Sequence, residues 1–144
     1  SDPFCVNRHK DDFLQILKKH TDVLFGNWHE AEALTDTETP EDAARALAEH
    51  CDLAVVTLDE KGSLLRTAET VHQIPVYPVT AVDTTGAGDM FAAGLLYGLT
   101  NGLDLVHTGH LASWCAAQVV SQLGPRIDTI DLTAVNKIKN GTFA

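Results

Sequence analysis

The sequence predicts a layered α/β fold in which helices flank a mostly parallel β-sheet. Apolar extended segments alternate with helical patterns along the chain, and this alternation is typical of strands joined by helical crossovers. The clearest strand, residues 53–58, is apolar on both faces and rich in β-branched residues, which indicates burial between two helical layers. A chain of 144 residues can bury a substantial core of this kind.

The individual elements follow from hydrophobic periodicity and from helix start signals. Thr39 and Pro40 predict a helix start, because a hydroxyl N-cap is followed by proline at the first helical position. Pro75 interrupts the extended segment 71–76, which is therefore predicted at a sheet edge or in a loop. The opening residues 1–4 are predicted to form the exit of a strand. The other predicted elements are helices at 8–19, 27–34, 40–48, 87–99, 105–123 and 132–139, and extended segments at 22–25 and 63–66.

The composition argues against several classes of partner. The formal net charge of −10 repels phosphate backbones and anionic lipids, so neither nucleic acid nor a membrane is expected as the main partner. No apolar run is long enough to span a bilayer. Cys5, Cys51 and Cys115 are an odd number without CxxC spacing, which predicts free thiols and a cytoplasmic location.

The most informative stretch runs from residue 83 to residue 91 and reads DTTGAGDMF. Gly86 and Gly88 flank Ala87 where extended chain enters a helix, so consecutive backbone N–H groups can converge on one point. The positive end of the helix dipole adds to these donors. The stretch therefore predicts a site for an anion or for developing negative charge.

Asp89 lies in the same first turn, so its carboxylate is predicted beside the anion site. A carboxylate next to backbone donors suits phosphoryl transfer to an alcohol, because the carboxylate can take the hydroxyl proton while the donors stabilise the phosphoryl oxygens. The alternative is a tight strand-to-helix turn in which Asp89 only complements the helix dipole. For an isolated GxGD pattern this alternative is the better interpretation.

The flanking residues favour the functional interpretation. The stretch resembles the carboxy-proximal D-T-x-G-A-G-D signature of the PfkB family of carbohydrate and nucleoside kinases, here at Asp83, Thr84, Gly86, Ala87, Gly88, Asp89 and Phe91. Neither a Walker A loop nor a GxGxxG fingerprint is present. The resemblance implies a ribokinase-like fold, ATP as phosphoryl donor, Asp89 as base, the segment from Gly86 through Gly88 as anion hole, and a nucleotide contact at Thr84.

Asn27 and Glu30 match the N-x-x-E motif that the resemblance associates with Mg²⁺ and phosphate. Residues at positions i and i+3 share a helix face, so the amide and the carboxylate could hold a hydrated cation together. An isolated N-x-x-E is common by chance and is then a surface feature. Because this N-x-x-E motif lies upstream of the DTTGAGD stretch, Asn27 and Glu30 are predicted to be functional.

Residues 55–62 resemble the strand and turn that lie along the nucleotide phosphates in this family. The resemblance implies nucleotide contacts at Thr57, Asp59 and Gly62. Many members have glycine at the position of Asp59, and this departure puts a backbone contact there in doubt. Some adenosine-kinase-like members carry a small polar residue instead, which favours that branch over simple sugar kinases.

The late segment Gly124-Pro125-Arg126 resembles the family segment near the adenine and a monovalent-cation site. The resemblance implies that Gly124 contacts the nucleotide. It also implies that Asp83 and Thr85 lie near a cation such as K⁺, through backbone oxygens. By contrast, His107 and His110 have metal-ligand spacing without accompanying ligands and are predicted to be exposed helix histidines.

The resemblance corresponds to the later half of a family member. Residues 1–144 are thus predicted to be the C-terminal nucleotide-binding and catalytic part, without the N-terminal acceptor-binding half and lid. Met90 is the only methionine, which also predicts a truncated chain. Missing strands would leave a sheet edge and an apolar face uncovered, so self-association is expected.

The predicted function is ATP-dependent phosphoryl transfer to a hydroxyl of a sugar or nucleoside, with Mg²⁺ and in some settings a monovalent cation. The small-molecule acceptor and ATP are the predicted partners, and the isolated chain is expected to be an inactive fragment. The alternative is a non-catalytic nucleotide-binding or interaction module that retains the fold.

Overall fold

The computed structural model describes residues 3–143, with the backbone alone at residue 3. The chain divides into two compact units between Gln73 and Ile74. The first unit contains the sheet with its helices, and the second is mainly helical.

The first unit alternates helices and strands along the chain. Its elements are α1 (Pro3–Arg8), α2 (Lys10–His20), β1 (Val23–Asn27), α3 (Trp28–Thr35), α4 (Pro40–Ala48), β2 (Leu53–Thr57), a 3-10 turn (Asp59–Lys61), β3 (Ser63–Arg66) and all but the last residue of β4 (Val71–Ile74). The four strands form one sheet in the order β1-β2-β3-β4. The predicted α/β class with helices flanking a sheet is confirmed.

The sheet is mixed rather than mostly parallel. Strands β1 and β2 are parallel, with Val23 opposite Leu53 and Asn27 opposite Thr57. Strands β2 and β3 are antiparallel, with Thr57 opposite Ser63. The cause is the length of the connection: the few residues after Thr57 can close a hairpin, whereas a parallel crossover needs a dozen or more.

The core of the first unit forms where α4 covers β2. Val55 and Val56 have no exposed surface, as expected for a strand with apolar residues on both faces. Ala43 and Leu47 of α4 are likewise buried. The predicted helix start is confirmed, because the Thr39 hydroxyl accepts the N–H of Asp42 at 3.2 Å.

The expected strand exit at the beginning of the chain is wrong for the residues that the structure describes. Residues from Pro3 to Arg8 form α1, and the N–H of His9 donates to the carbonyl of Cys5 at 3.1 Å. The helical backbone lets Val6 join the buried cluster that contains Leu34, a tertiary contact that six residues of sequence do not reveal. The part of the expectation that concerns residues 1 and 2 lies outside the described residues.

The second unit is built from α5 (Ala87–Thr100), α6 (Leu105–Val120) and α7 (Leu132–Lys139). Helices α5 and α6 pack so closely that a Cβ at Gly94 would lie 2.8 Å from Ala112 Cα. Helix α6 ends three residues before the predicted residue 123. The N–H groups of Ser121 and Gln122 still bond back to α6, and then the chain leaves the helix.

The histidines of α6 are half-buried rather than exposed. The His110 ring stacks on Phe143 with centroids 3.7 Å apart, and His107 bonds to Asp104 at 2.7 Å. These partners come from the last residues of the chain and from the helix N-cap, so helical spacing alone could not predict the burial. Within residues 3–143, no group of three or more His, Cys, Asp or Glu side chains could hold a metal ion.

Two further observations concern the whole described chain. The thiols of Cys5, Cys51 and Cys115 are not joined by disulfides, as predicted. Burial raises the pKa of the Cys115 thiol to about 11. Among the described residues, no helix combines the length and the apolar character that crossing a membrane requires.

The Thr39 cap yields a stability prediction. Thr39→Ala removes the acceptor for the Asp42 N–H and is expected to lower the free energy of unfolding by about 1 kcal/mol. Thr39→Ser keeps the hydroxyl and should stay within about 0.5 kcal/mol of the parent protein. Urea unfolding followed by circular dichroism measures both, and an equal loss in the two variants would contradict the capping role.

Candidate functional site

The start of α5 presents unpaired backbone donors. Gly86 is the N-cap in a left-handed conformation, with φ of 83°, and its carbonyl accepts the N–H of Met90 at 2.9 Å. The N–H of Ala87 turns back to the carbonyl of Thr84 at 3.2 Å. No acceptor in residues 3–143 pairs with the N–H groups of Gly88 and Asp89. Two adjacent donors at the positive end of the helix dipole can therefore bind an anionic group.

The surroundings of these donors are open. Gly88 and Asp89 are exposed, and a Cβ built at Gly88 would meet no atom within 4 Å. Thr84 and Thr85 are exposed as well. The Asp89 carboxylate thus belongs to the same accessible first turn as the unpaired donors, which is the arrangement that the sequence predicts.

Gly86 is held against a second segment. A Cβ at Gly86 would lie 2.8 Å from both Cα and Cβ of Pro125. The left-handed backbone and this close approach each exclude a side chain, so glycine is required here for two independent reasons. The sequence resemblance placed the segment that contains Pro125 near the nucleotide, but it assigned a contact only to Gly124 and did not predict the approach of Pro125 to Gly86.

The Asp83 carboxylate joins the same two segments. One oxygen accepts the N–H of Thr85 at 2.9 Å, and the other accepts the N–H of Gly124 at 3.0 Å. Hydrogen bonds from Thr85, followed by the bond from Gly124, lower the pKa of Asp83 below its ordinary value. The structure therefore brings together Asp83, Thr85, Gly86 and Gly124, which were predicted from separate stretches of sequence.

Asn27 and Glu30 lie in the first unit and form a capping box. Asn27 ends β1 and is the N-cap of α3, and its side chain accepts the N–H of Glu30 at 2.9 Å. The Glu30 carboxylate accepts the N–H of Asn27 at 2.9 Å. The expectation that the two side chains share a helix face needs correction, because Asn27 precedes the first helical turn and each side chain binds the backbone of the other residue.

Gly26 leaves room for this arrangement and was missed by the sequence analysis. A Cβ at Gly26 would lie 3.2 Å from a carboxylate oxygen of Glu30. One carboxylate and one amide oxygen match the way Mg²⁺ is commonly held, since Mg²⁺ keeps several waters and takes few protein ligands beside substrate phosphates. The donor set at Asn27 and Glu30 thus fits a magnesium ion.

Thr57 is the register partner of Asn27, so the carboxyl ends of the parallel strands β1 and β2 lie side by side. In α/β folds this edge of the sheet is where ligands bind. The turn that follows contains two left-handed residues, Asp59 with φ of 52° and Gly62 with φ of 91°. Gly62 is buried and Asp59 is exposed.

The candidate residues thus form two groups. The first group lies in the first unit, at the junction of β1 with α3, at the end of β2 and in the turn after β2; its members are Asn27, Glu30, Thr57, Asp59 and Gly62. The second group occupies the α5 start and the loop after α6; its members are Asp83, Thr84, Thr85, Gly86, Ala87, Gly88, Asp89 and Gly124.

The fold and the candidate site define an α/β protein in which a helix start presents two unpaired backbone donors next to a carboxylate. A family model described as pfkB family carbohydrate kinase matches residues 1–131. The chain therefore belongs to the pfkB family of carbohydrate kinases, and the resemblance found in the sequence is confirmed.

Relatives agree with this assignment. An uncharacterized sugar kinase of Archaeoglobus fulgidus is 32% identical over 123 residues, which cover 84% of this chain and 48% of that protein. The crystal structure of adenosine kinase from Sinorhizobium meliloti is 39% identical, with a TM-score of 0.89 over 95% of this chain and 42% of that chain.

A putative ribokinase II from E. coli, in complex with ATP and Mg²⁺, is 25% identical, with a TM-score of 0.81. That match covers 96% of this chain and 45% of the other. The ribokinase-like fold is thereby confirmed. This chain spans less than half the length of each of these three relatives.

The glycines of the α5 start differ in their tolerance of a side chain. Gly86→Ala places a Cβ against Pro125 on a left-handed backbone. It is expected to lower the free energy of unfolding by about 1–3 kcal/mol. Gly88→Ala meets no neighbour and should be neutral or slightly stabilising, because alanine favours the helix. Thermal unfolding of the two variants measures the difference. Equal destabilisation would show that the loop after α6 does not constrain Gly86.

Proposed function

We propose that the intact protein is an ATP-dependent kinase that transfers a phosphoryl group to a hydroxyl of a sugar or a nucleoside. Membership of the pfkB family supports the kinase class. The single observation that carries the proposal is the pair of unpaired N–H groups at Gly88 and Asp89, next to the exposed Asp89 carboxylate. Residues 1–144 are the nucleotide-binding and catalytic part, and the isolated chain is inactive because it lacks an acceptor-binding part.

The α5 start supplies the chemistry of the transfer step. The Asp89 carboxylate takes the proton of the acceptor hydroxyl as that oxygen forms its bond to the γ-phosphorus. The bond from the γ-phosphorus to its leaving oxygen breaks, and ADP departs with the electron pair. Within the predicted anion hole, from Gly86 through Gly88, the N–H of Ala87 already bonds to Thr84. The preorganised N–H groups of Gly88 and of the next residue, Asp89, stabilise the charge on the transferring oxygens.

The other candidate residues receive supporting roles. Asn27 and Glu30 would hold Mg²⁺, which when bound neutralises phosphate charge. Thr57, Asp59, Gly62, Thr84 and Gly124 contact the nucleotide, while backbone oxygens of Asp83 and Thr85 face a monovalent cation such as K⁺. An adenosine kinase and a sugar kinase are both similar to this chain, so both acceptor classes belong in the assay.

One observation favours a second candidate function, a nucleotide-binding or interaction module without catalysis. Asn27 and Glu30 already have a structural task in the capping box of α3, and that task alone would explain their presence. The two functions differ in whether loss of the Asp89 carboxylate abolishes turnover.

The Asp89 carboxylate yields the first test of the kinase proposal. In the full-length protein that carries this chain, Asp89→Asn is expected to lower kcat at least ~100-fold, because the variant cannot accept the hydroxyl proton. Affinity for ATP, measured by calorimetry, should be largely unchanged. The assay uses ATP and Mg²⁺ with a panel of sugars and nucleosides.

Two controls accompany this test. Asp128→Asn changes an exposed carboxylate outside the candidate site and should leave kcat unchanged. Gly88→Val should abolish ATP binding, because its side chain would occupy the open space over the donors without a clash at its Cβ. An Asp89→Asn variant nearly as active as the parent protein would remove the proposed base.

The Glu30 side chain allows the capping and cation roles to be separated. Glu30→Gln preserves the reciprocal cap, since glutamine serves equally at this position, and should change the free energy of unfolding by less than about 0.5 kcal/mol. Glu30→Ala should lower it by about 1 kcal/mol. Both variants should need more Mg²⁺ for half-maximal activity. If Glu30→Gln keeps the parent Mg²⁺ dependence, the role of Glu30 is capping alone.

A further inference from the structure

We infer that Asp83 is a positioning residue of the anion site. Its carboxylate binds both Thr85, just before α5, and Gly124, in the loop of residues 121–126. These two hydrogen bonds are called the latch. The inference rests on the proposed function, because it concerns the donors that would stabilise the transferring phosphoryl group. It assigns the Asp83 side chain a task separate from the cation contact predicted for the Asp83 backbone.

Both carboxylate oxygens are engaged by the chain itself. The local bond comes from Thr85, and the bond from Gly124 links residues 41 positions apart in sequence. The backbone reinforces this link, because the N–H groups of Val82 and Asp83 both reach the carbonyl of Val120, at 2.9 and 3.3 Å. The side chain of Gln122 also bonds to the carbonyl of Arg126, which closes the loop on itself.

The two ends of the latch adjoin the close approach of Gly86 to Pro125. Thr85 immediately precedes Gly86, and Gly124 immediately precedes Pro125. Gly86 and Pro125 are the residues whose approach leaves no space for a Cβ. A loosened latch would therefore let Gly86 move away from Pro125, and the N–H groups of Gly88 and Asp89 would move with it.

Charge gives a second argument. A carboxylate three residues before an anion-binding turn opposes anion binding by simple repulsion. Its two charge-assisted hydrogen bonds to backbone donors explain why a carboxylate serves here, since a neutral amide would offer only one acceptor atom for the two N–H groups. The physical consequence is a rigid turn in which the unpaired donors keep their positions.

The latch is tested by comparing Asp83→Asn with Asp131→Asn in the full-length protein. Asp131 is a control carboxylate at the start of α7: a single oxygen accepts both backbone N–H groups, from Thr133 at 2.8 Å and Ala134 at 3.2 Å, so the amide oxygen of asparagine can keep both bonds. Asp83→Asn should lower the unfolding temperature, because the amide can accept only one of the two N–H groups, whereas Asp131→Asn should leave the unfolding temperature nearly unchanged. Only Asp83→Asn should lower kcat, by roughly tenfold or more, while the acceptor KM stays within about twofold.

A double-variant cycle tests the other end of the latch. Gly124→Ala meets no neighbouring atom but forces a side chain onto a backbone with φ of 88°, so it disturbs the same loop. If the two residues act through one contact, the combined loss in kcat will be smaller than the product of the separate losses. Hydrogen exchange gives a readout independent of turnover: the amides of Thr85 and Gly124 should exchange faster in Asp83→Asn and unchanged in Asp131→Asn.

Three results would overturn the latch: equal kcat losses in Asp83→Asn and Asp131→Asn, unchanged exchange at Gly124, or a loss in Asp83→Asn that added K⁺ fully reverses. The last would make the carboxylate a cation ligand. Failure of the proposed function looks different, because the parent protein would then phosphorylate no sugar or nucleoside. The exchange experiment would still decide the latch in that case.

Discussion

The close approach of Gly86 to Pro125 is the constraint on which the second unit depends. It fixes where α5 begins, because Gly86 adopts a left-handed conformation that ends the preceding non-helical segment, and the helix starts at the next residue. Further along α5, Gly94 and Gly98 bring the helix equally close to Ala112 and Thr108 of α6. Contacts at both ends therefore hold α5 in one position. The unpaired N–H groups of its first turn are held in place with it.

Both units use the same physical device, a helix start that follows extended chain. The first turn of any helix has N–H groups without intrahelical partners, and these must bind something. At α3 the donors are satisfied internally by Asn27 and Glu30. At α5 the N-cap is glycine, which has no side chain to offer, and two donors remain available. This difference between a capped and an uncapped helix start decides which one can bind an external anion.

Local signals in the sequence were sufficient for most elements. Thr39-Pro40 and the stretch around Gly86 identified helix starts, and α7 has the predicted bounds because its signals are local. Non-local contacts caused the failures: Val6 is held in a helix by the core, Phe143 covers the histidines of α6, and Pro125 meets Gly86 across the unit. The sequence was enough to predict most residues of the candidate site. The capping role of Asn27 and the two hydrogen bonds of Asp83 are visible only in the structure.

The departure from the family pattern at Asp59 has a physical interpretation in the backbone. Asp59 adopts φ of 52°, the left-handed region that glycine enters freely and that aspartate tolerates better than most residues. The turn thus has a backbone conformation that glycine, the residue of the family pattern at this position, enters without strain. What changes is the addition of an exposed carboxylate, which opposes phosphate oxygens near it and favours a cation. The departure therefore alters the charge that this turn presents and not its shape.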